Sequence, residues 1–336
     1  MCMFRQAGGD WMKAQGQAGI AGRRYLVISP GRNEAAYMRR TLDSMIAQSE
    51  RPARWVIVDD GSTDETPQIL AEYAARHDWI TILRREDRGH RAVGPGVIEA
   101  FYAGLDTQDL GDFDYLCKLD LDLDLPPDYF RILMDRMQAD PRIGTCSGKA
   151  YFRDTDGQMV SENIGDEMSL GMTKMYSVAC FRQIGGFVRE VMWDGIDCHK
   201  ARMLGWTPVS WDDPELRFDH LRPMGSSQSG IFTGRRRHGF GQYYMGTHPL
   251  FMIASAVNRA RYRPFLLGGL AMLQGYFGAM LRGTPRQADS ALIGFIRDYQ
   301  LRALRMGKAQ AVAQIEAERA PLWQPAAGQA RLSSQA

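Results

Sequence analysis

Between residues 25 and about 150 the chain alternates short apolar runs with stretches of helical spacing. YLVIS (25–29), WVIVDD (55–60), WITILR (79–84) and DYLCKLD (114–120) read as strands. EAAYMRRTLDSMIAQ (34–48) puts Leu42, Met45 and Ile46 on one helical face. GSTDETPQILAEYAAR (61–76) offers Ser62 or Thr63 as a helix cap, with Asp64 and Glu65 in the early turn. GVIEAFYAGL (96–105) is a third helix. Strand and helix in such quick succession leave few choices. They predict a parallel sheet with right-handed crossovers and helices on both faces.

After about residue 141 the rhythm changes. IGTCSGKAYF (143–152) reads as a strand and DTDGQM (154–159) as a hairpin turn. MTKMYSVACFRQIGGF (172–187) reads as a helix closed by Gly185 and Gly186, and DGIDCHKARMLGW (194–206) as another ended by Gly205. TPVSW (207–211) is a short strand, and GRRRHG (234–239) a basic loop. That loop is either a solvated run, a lid, or a patch facing anionic lipid. Beyond about 240 the pattern is helical and apolar. The expected organisation is a loose leader over 1–23, an α/β domain over 24–240, a helical region over 241–325 and a frayed tail over 326–336.

Composition narrows the class. A formal net charge of +2 gives no global attraction to nucleic acid. The five cysteines form no CxxC pair, which points to free thiols in a reducing, cytoplasmic setting. Residues 1–24 lack the apolar core of a signal peptide. The uncharged run FLLGGLAMLQGYFGAML (265–281) falls short of the roughly 20 residues of a bilayer span. Arg259, Arg261, Arg263, Arg282 and Arg286 flank it. It reads as a buried helix or as one lying in a membrane interface.

The strand ends carry the chemistry. In KLDLDLDLPPDYF (118–130), Leu119, Leu121, Leu123 and Leu125 alternate with Asp120, Asp122 and Asp124. A strand would put the leucines on one face and the carboxylates on the other. Such a row of acids is either a solvated face or a divalent-cation site. Two earlier strand ends also deliver polar groups: SPGRNE (29–34), with Pro30, Arg32, Asn33 and Glu34, and VDDGSTD (58–64), with Asp59 and Asp60. The carboxyl edge of an α/β sheet is where ligands bind. DRGHRAVGPG (87–96) adds Arg88 near that edge, and FDHLRP (218–223) adds Asp219, His220 and Arg222.

Over about residues 24–212 the ordered set SPGRNE, VDDGSTDET, LDLD, GGF and WDGID resembles the family 2 glycosyltransferases of GT-A fold. The resemblance implies an α/β, Rossmann-like mixed sheet with a helical C-terminal extension. It implies inverting transfer of a sugar from a UDP- or GDP-type donor to a hydroxyl acceptor. It also implies Mn²⁺ or Mg²⁺ on Asp120 and Asp122, with Pro30, Arg32, Glu34, Asp59, Asp60, Arg88, Asp120 and His220 on the donor side. Asp124 is taken as solvated. Aligned on Trp193 and Asp197, the family's usual base falls on Gly195. Asp194 is the nearest replacement and Asp197 the second. The implied partners are a nucleotide sugar and a saccharide or lipid-linked acceptor, in cell-surface polysaccharide or glycolipid assembly. Peripheral contact with an anionic membrane at the inner face of the cytoplasmic membrane would fit the apolar C-terminal run. A polyprenyl-phosphate glycosyl synthase is the first alternative. A sugar nucleotidyltransferase is the second, although SPGRNE lacks the glycine-rich basic loop such enzymes carry after the first strand. A degenerate binding domain is the third, and the intact DxD argues against it.

Overall fold

The first strand, β1 (Tyr25–Gly31), is buried along its length except at its last residue. Its side chains split between two cores, Tyr25 and Val27 on one side and Leu26 and Ile28 on the other. The computed structural model describes residues 23–89, 94–154, 156–222, 231–261 and 265–324. Nearly all of the expected leader and the whole of the expected tail lie outside the described residues.

The predicted alternation is realised. After β1 come α1 (Met38–Ile46), β2 (Arg54–Asp59), α2 (Thr66–Ala74), β3 (Ile80–Arg84), α3 (Pro95–Leu105) and β4 (Tyr115–Leu119). Strands β1, β2 and β3 pair in parallel, and β4 pairs in parallel with the other edge of β1. Then follow β5 (Leu123–Asp124), α4 (Tyr129–Ala139), β6 (Ile143–Ser147), β7 (Lys149–Arg153), β8 (Met159–Ser161) and β9 (Thr173–Ser177). Next come α5 (Val178–Gln183), α6 (Trp193–Met203), β10 (Thr207–Ser210) and β11 (Arg217–His220). The central sheet has the order β10-β6-β9-β4-β1-β2-β3, and a smaller sheet runs β5-β11-β7-β8. Helices cover both faces of the central sheet, as their buried residues join its two cores. The mixed α/β architecture expected for the chain is the one it has.

Three expected elements in this part of the chain are different. Residues 172–187 are not one helix. Thr173–Ser177 form β9, antiparallel between β4 and β6, and the helix begins only at Val178. The Ser177 hydroxyl accepts from the Cys180 N–H, a helix cap in the middle of the run. Residues 143–152 are two strands in different sheets, broken at Gly148, where a Cβ would collide with the Leu216 carbonyl. The hairpin turn at 154–159 is confirmed by antiparallel pairing of β7 with β8. The acidic run is not one strand either. It ends at Leu119, and β5 joins the smaller sheet. Its four leucines are nevertheless all buried in one core, so the expected two-faced character survives.

The C-terminal region contains α7 (Ile231–Met245), α8 (Pro249–Arg259), α9 (Leu267–Leu281), α10 (Ser290–Met306) and α11 (Lys308–Arg319). GRRRHG is therefore part of a helix and not a loop, and the boundary expected at 240/241 falls inside α7. Helices α7 and α9 cross through glycines. A Cβ at Gly239 would strike the Met272 carbonyl, and one at Gly275 the Arg236 carbonyl. Helix α11 returns to α6 through Arg202, wholly buried, which meets Glu316 at 3.1 Å. No helix among the described residues is long and apolar enough to cross a membrane. One side of α9 is buried through Gly268, Ala271, Met272 and Tyr276, while Leu267, Leu270 and Leu281 remain exposed.

Gly239→Leu is expected to force α7 and α9 apart at a cost of about 1–3 kcal/mol, as overpacking does. Gly294→Ala on α10, where an added Cβ meets nothing, should instead stabilise by about 0.4–1 kcal/mol. Thermal or urea denaturation of the two variants beside the wild type checks both signs.

Candidate active site

A cavity of about 530 Å³ opens at the carboxyl edge of β1 and β4. Pro30 and Glu34 reach it from β1, and Asp120 and Asp122 from the end of β4. His220 and Arg222 arrive from β11, and Asp194 and Gly195 from the first turn of α6. Six of the residues singled out from sequence thus share one wall: Pro30, Glu34, Asp120, Asp122, Asp194 and His220. Arg32, Asp59, Asp60, Arg88 and Asp197 do not line it.

The acids are matched by cations of the chain itself. Lys118, 3% exposed, ion-pairs with Asp120. Arg222 meets Asp122 at 2.6 Å and Glu34 at 3.1 Å. His220 places Nδ1 2.8 Å from Glu162 and Nε2 3.7 Å from Asp122. Burial alone would lower the His220 pKa, but the neighbouring Asp122 and Glu162 carboxylates outweigh it and carry it up to about 9. Burial likewise opposes the charge on Asp122, yet His220 and Arg222 hold that carboxyl below its usual value. Burial raises Asp120, against the pull of Lys118. Asp124 is not simply solvated, because Arg40 ion-pairs with it.

The donor set suits a small hard cation that keeps outside ligands. Asp122 Oδ1 is buried with no hydrogen-bond partner. Among the described residues no group of three or more His, Cys, Asp or Glu forms a ready cage. One or two carboxylates completed by substrate phosphates is a usual Mg²⁺ arrangement.

Beside the cavity, the ends of β1, β2 and β3 are stitched together. Asn33, at φ 56°, accepts from the Thr63 N–H at 2.8 Å, and its own N–H donates to Ser62 Oγ at 2.9 Å. The Glu34 N–H donates to Thr66 Oγ1 at 2.9 Å. Ser62 and Thr63 do not cap α2. Asp64 instead accepts from the Thr66 N–H at 3.0 Å. Asp59 accepts from the Ser62 N–H at 2.8 Å. Arg32 donates to the Asp60 carbonyl at 2.9 Å and to Asp87 at 2.5 Å. The Asp60 carboxylate is held by Arg85 at 2.8 Å and by Arg88. These residues fix the turns beside the cavity.

Under the α6 side of the cavity lies a buried ion pair. Lys174 on β9 and Asp197 on α6 are 0% and 1% exposed and meet at 2.5 Å. Lys174 also donates to the Asp194 carbonyl at 2.5 Å, and Tyr176 donates to Asp197. Burial pushes the Asp197 carboxyl up to about 6, against the pull of Lys174. That ammonium is held charged, well above its ordinary value, because Asp197 outweighs the effect of burial. Asp197 is therefore an anchor for the start of α6. Asp194 is on the cavity side, its carboxylate packed against Gly171, which has no side chain to obstruct it. The sequence reading missed Lys118, Lys174, Glu162 and the cavity-lining His238. A charged residue inside an apolar strand run was the available signal for both lysines.

Residues 26–192 match glycosyl transferase family 2. The poly-β-1,6-N-acetyl-D-glucosamine synthase of Staphylococcus aureus is 25% identical over 122 residues, 36% of this chain and 27% of that one. An uncharacterized protein of Mycobacterium tuberculosis is 40% identical over 77 residues, 22% of each chain. The chain thus spans well under half the length of these curated relatives. A mannosyltransferase from Pyrobaculum calidifontis, solved with GDP-Man and Mn²⁺, is 18% identical and aligns over 90% of this chain and 88% of its own, with a TM-score of 0.46.

The pairing of His220 predicts a pH dependence of stability. Its pKa is raised from 6.5 to about 9, so the contribution is whole below about pH 6.5 and is lost as pH rises toward 9. In metal-free buffer, the gap in denaturation midpoint between wild type and His220→Gln should narrow across that window.

Proposed function

The chain belongs to glycosyl transferase family 2 through residues 26–192, and from that premise we propose that it transfers a sugar from a UDP- or GDP-type donor to a hydroxyl, with inversion at the anomeric carbon. The observation that carries this reading is that Asp120, Asp122 and Asp194 line one cavity. Charge develops on the departing diphosphate in such a reaction. Asp120 and Asp122 would hold Mn²⁺ or Mg²⁺ there, which supplies Lewis-acid stabilisation when bound. Lys118, His220 and Arg222 already stand on these acids, and each can turn from a carboxylate to a phosphate oxygen at short range. Pro30 and Glu34 form the adjacent wall. Arg32, Asp59, Asp60 and Arg88 act one step back, by holding the turns against which the nucleoside rests. Asp194 serves the acceptor side. Asp197, buried and paired with Lys174 and Tyr176, serves in this reading as the anchor of α6.

The acceptor we favour is carried on a lipid, in cell-surface polysaccharide or glycolipid assembly. The support is the outer face of α8 and α9, where Leu250, Val257, Leu267 and Leu270 are each more than half exposed. The exposed Arg261 follows the end of α8, suited to the anionic inner leaflet of a cytoplasmic membrane. A polyprenyl-phosphate acceptor is a second reading. Gly195 favours it, because an ionised phosphate attacks without a base.

A thermal-shift panel of UDP, GDP, CMP and dTDP, with and without Mn²⁺, tests the donor site. One nucleotide at 100 times its Kd should stabilise by about 2.7 kcal/mol, only with metal, and not in Asp122→Asn. No shift with any nucleotide would sink the reading. Co-sedimentation with phosphatidylcholine vesicles should be weak and should rise when phosphatidylserine is added. Leu267→Glu paired with Leu270→Glu should abolish it, whereas equal pelleting with neutral and anionic vesicles would refute charge-assisted docking.

A further inference from the structure

At the mouth of α6 the wall beside Gly195 is apolar. The three nearest atoms to a Cβ at Gly195 would belong to Met168, Met192 and Met245, each at 3.7 Å. Into this gap α7 delivers a different group. Its residues at 238, 241 and 245 lie three and four apart, on one helical face. Gly241 lets that face close on Val191 and Met192, Met245 reaches Gly195, and His238 lines the cavity with Asp194. The close approach at Gly241 fixes the distance of α7 from α6.

We propose that His238 accepts the proton of the attacking acceptor hydroxyl, with the Asp194 carboxylate compensating the imidazolium that forms. The inference rests on the glycosyl-transfer reading and assigns a residue to it. In the step, the acceptor oxygen bonds to the anomeric carbon as its proton passes to the imidazole. The carbon–oxygen bond to the diphosphate breaks, and its electron pair leaves with the nucleoside diphosphate. The imidazolium then returns its proton to solvent as the products depart. A neutral imidazole is required at the start. Burial, with Arg235 on the same helix and Arg259 on α8, drives the His238 pKa down to about 4, while Asp194 pulls it upward. The pairing follows the logic of an imidazole base steadied by a neighbouring carboxylate.

Two measurements decide the matter. On protein labelled with ¹⁵N-histidine, the signal lost in His238→Gln assigns His238. Its titration midpoint should lie below the ordinary 6.5 and move lower still in Asp194→Asn. A midpoint indifferent to Asp194→Asn would overturn the pairing, and this arm needs no substrate. In the second arm, nucleotide release to water is followed with Mn²⁺ and the UDP- or GDP-sugar selected by the thermal-shift panel. His238→Gln should lose about 10²–10⁴-fold in kcat with donor KM within about threefold, and Asp194→Asn should shift the acid limb of the kcat profile to lower pH. His238→Gln that keeps kcat within threefold of wild type would overturn the assignment. His238→Asn, and the donor-induced thermal shift of each variant, separate lost chemistry from lost folding. A wild type that binds no nucleotide and releases none would instead defeat the glycosyl-transfer reading itself, an outcome distinct from the others.

Discussion

An ammonium group in the middle of a sheet has to be answered by a negative charge, and Lys174 is answered by Asp197. Lys174 lies on β9 opposite Lys118 of β4, so two cations face each other across one antiparallel pair. Each has its own carboxylate, and the Trp193 ring stands beside both, at 5.4 Å from Lys118 and 5.7 Å from Lys174. Removing one partner of such a buried pair typically costs about 3–5 kcal/mol, because the other charge is left uncompensated. The pair joins β9 to α6. It thereby sets where the helix begins, and with it where Asp194 and Gly195 meet the cavity.

The same logic extends to the other end of the cavity. Asp120 and Asp122 would repel each other across the strand end if nothing intervened. Lys118 intervenes from β4, and His220 and Arg222 from the end of β11. The charges at this end of the cavity thus form a balanced set before any ligand arrives.

How much of this was legible beforehand depends on whether a residue's partner is local. YLVIS, WVIVDD and WITILR announced themselves because strands buried on both faces are apolar throughout. The acids at their ends were visible for the same reason. TKMYS was hidden because Lys174 and Tyr176 give β9 no clean alternation, and their counter-charge sits far along the chain at Asp197. GRRRHG looked like a solvated loop because three arginines mask a helix whose buried contacts are made by glycines. Asp59 and Asp60 stand at the carboxyl end of β2 as expected, but no pattern in the sequence says that Ser62, Arg85 and Arg88 already hold them. His238 was invisible as a cavity residue for the plainest reason. Only tertiary packing brings α7 over α6.

The glycine crossing of α7 and α9 bears on this last point. Where backbone meets backbone, no flexible side chain lies between the helices to absorb a displacement, and close-packed interiors transmit strain. The cavity wall formed by α7 is thus geared directly to the apolar outer hairpin. A displacement of α9 therefore has little slack before it meets α7, the helix on which the cavity-lining His238 stands.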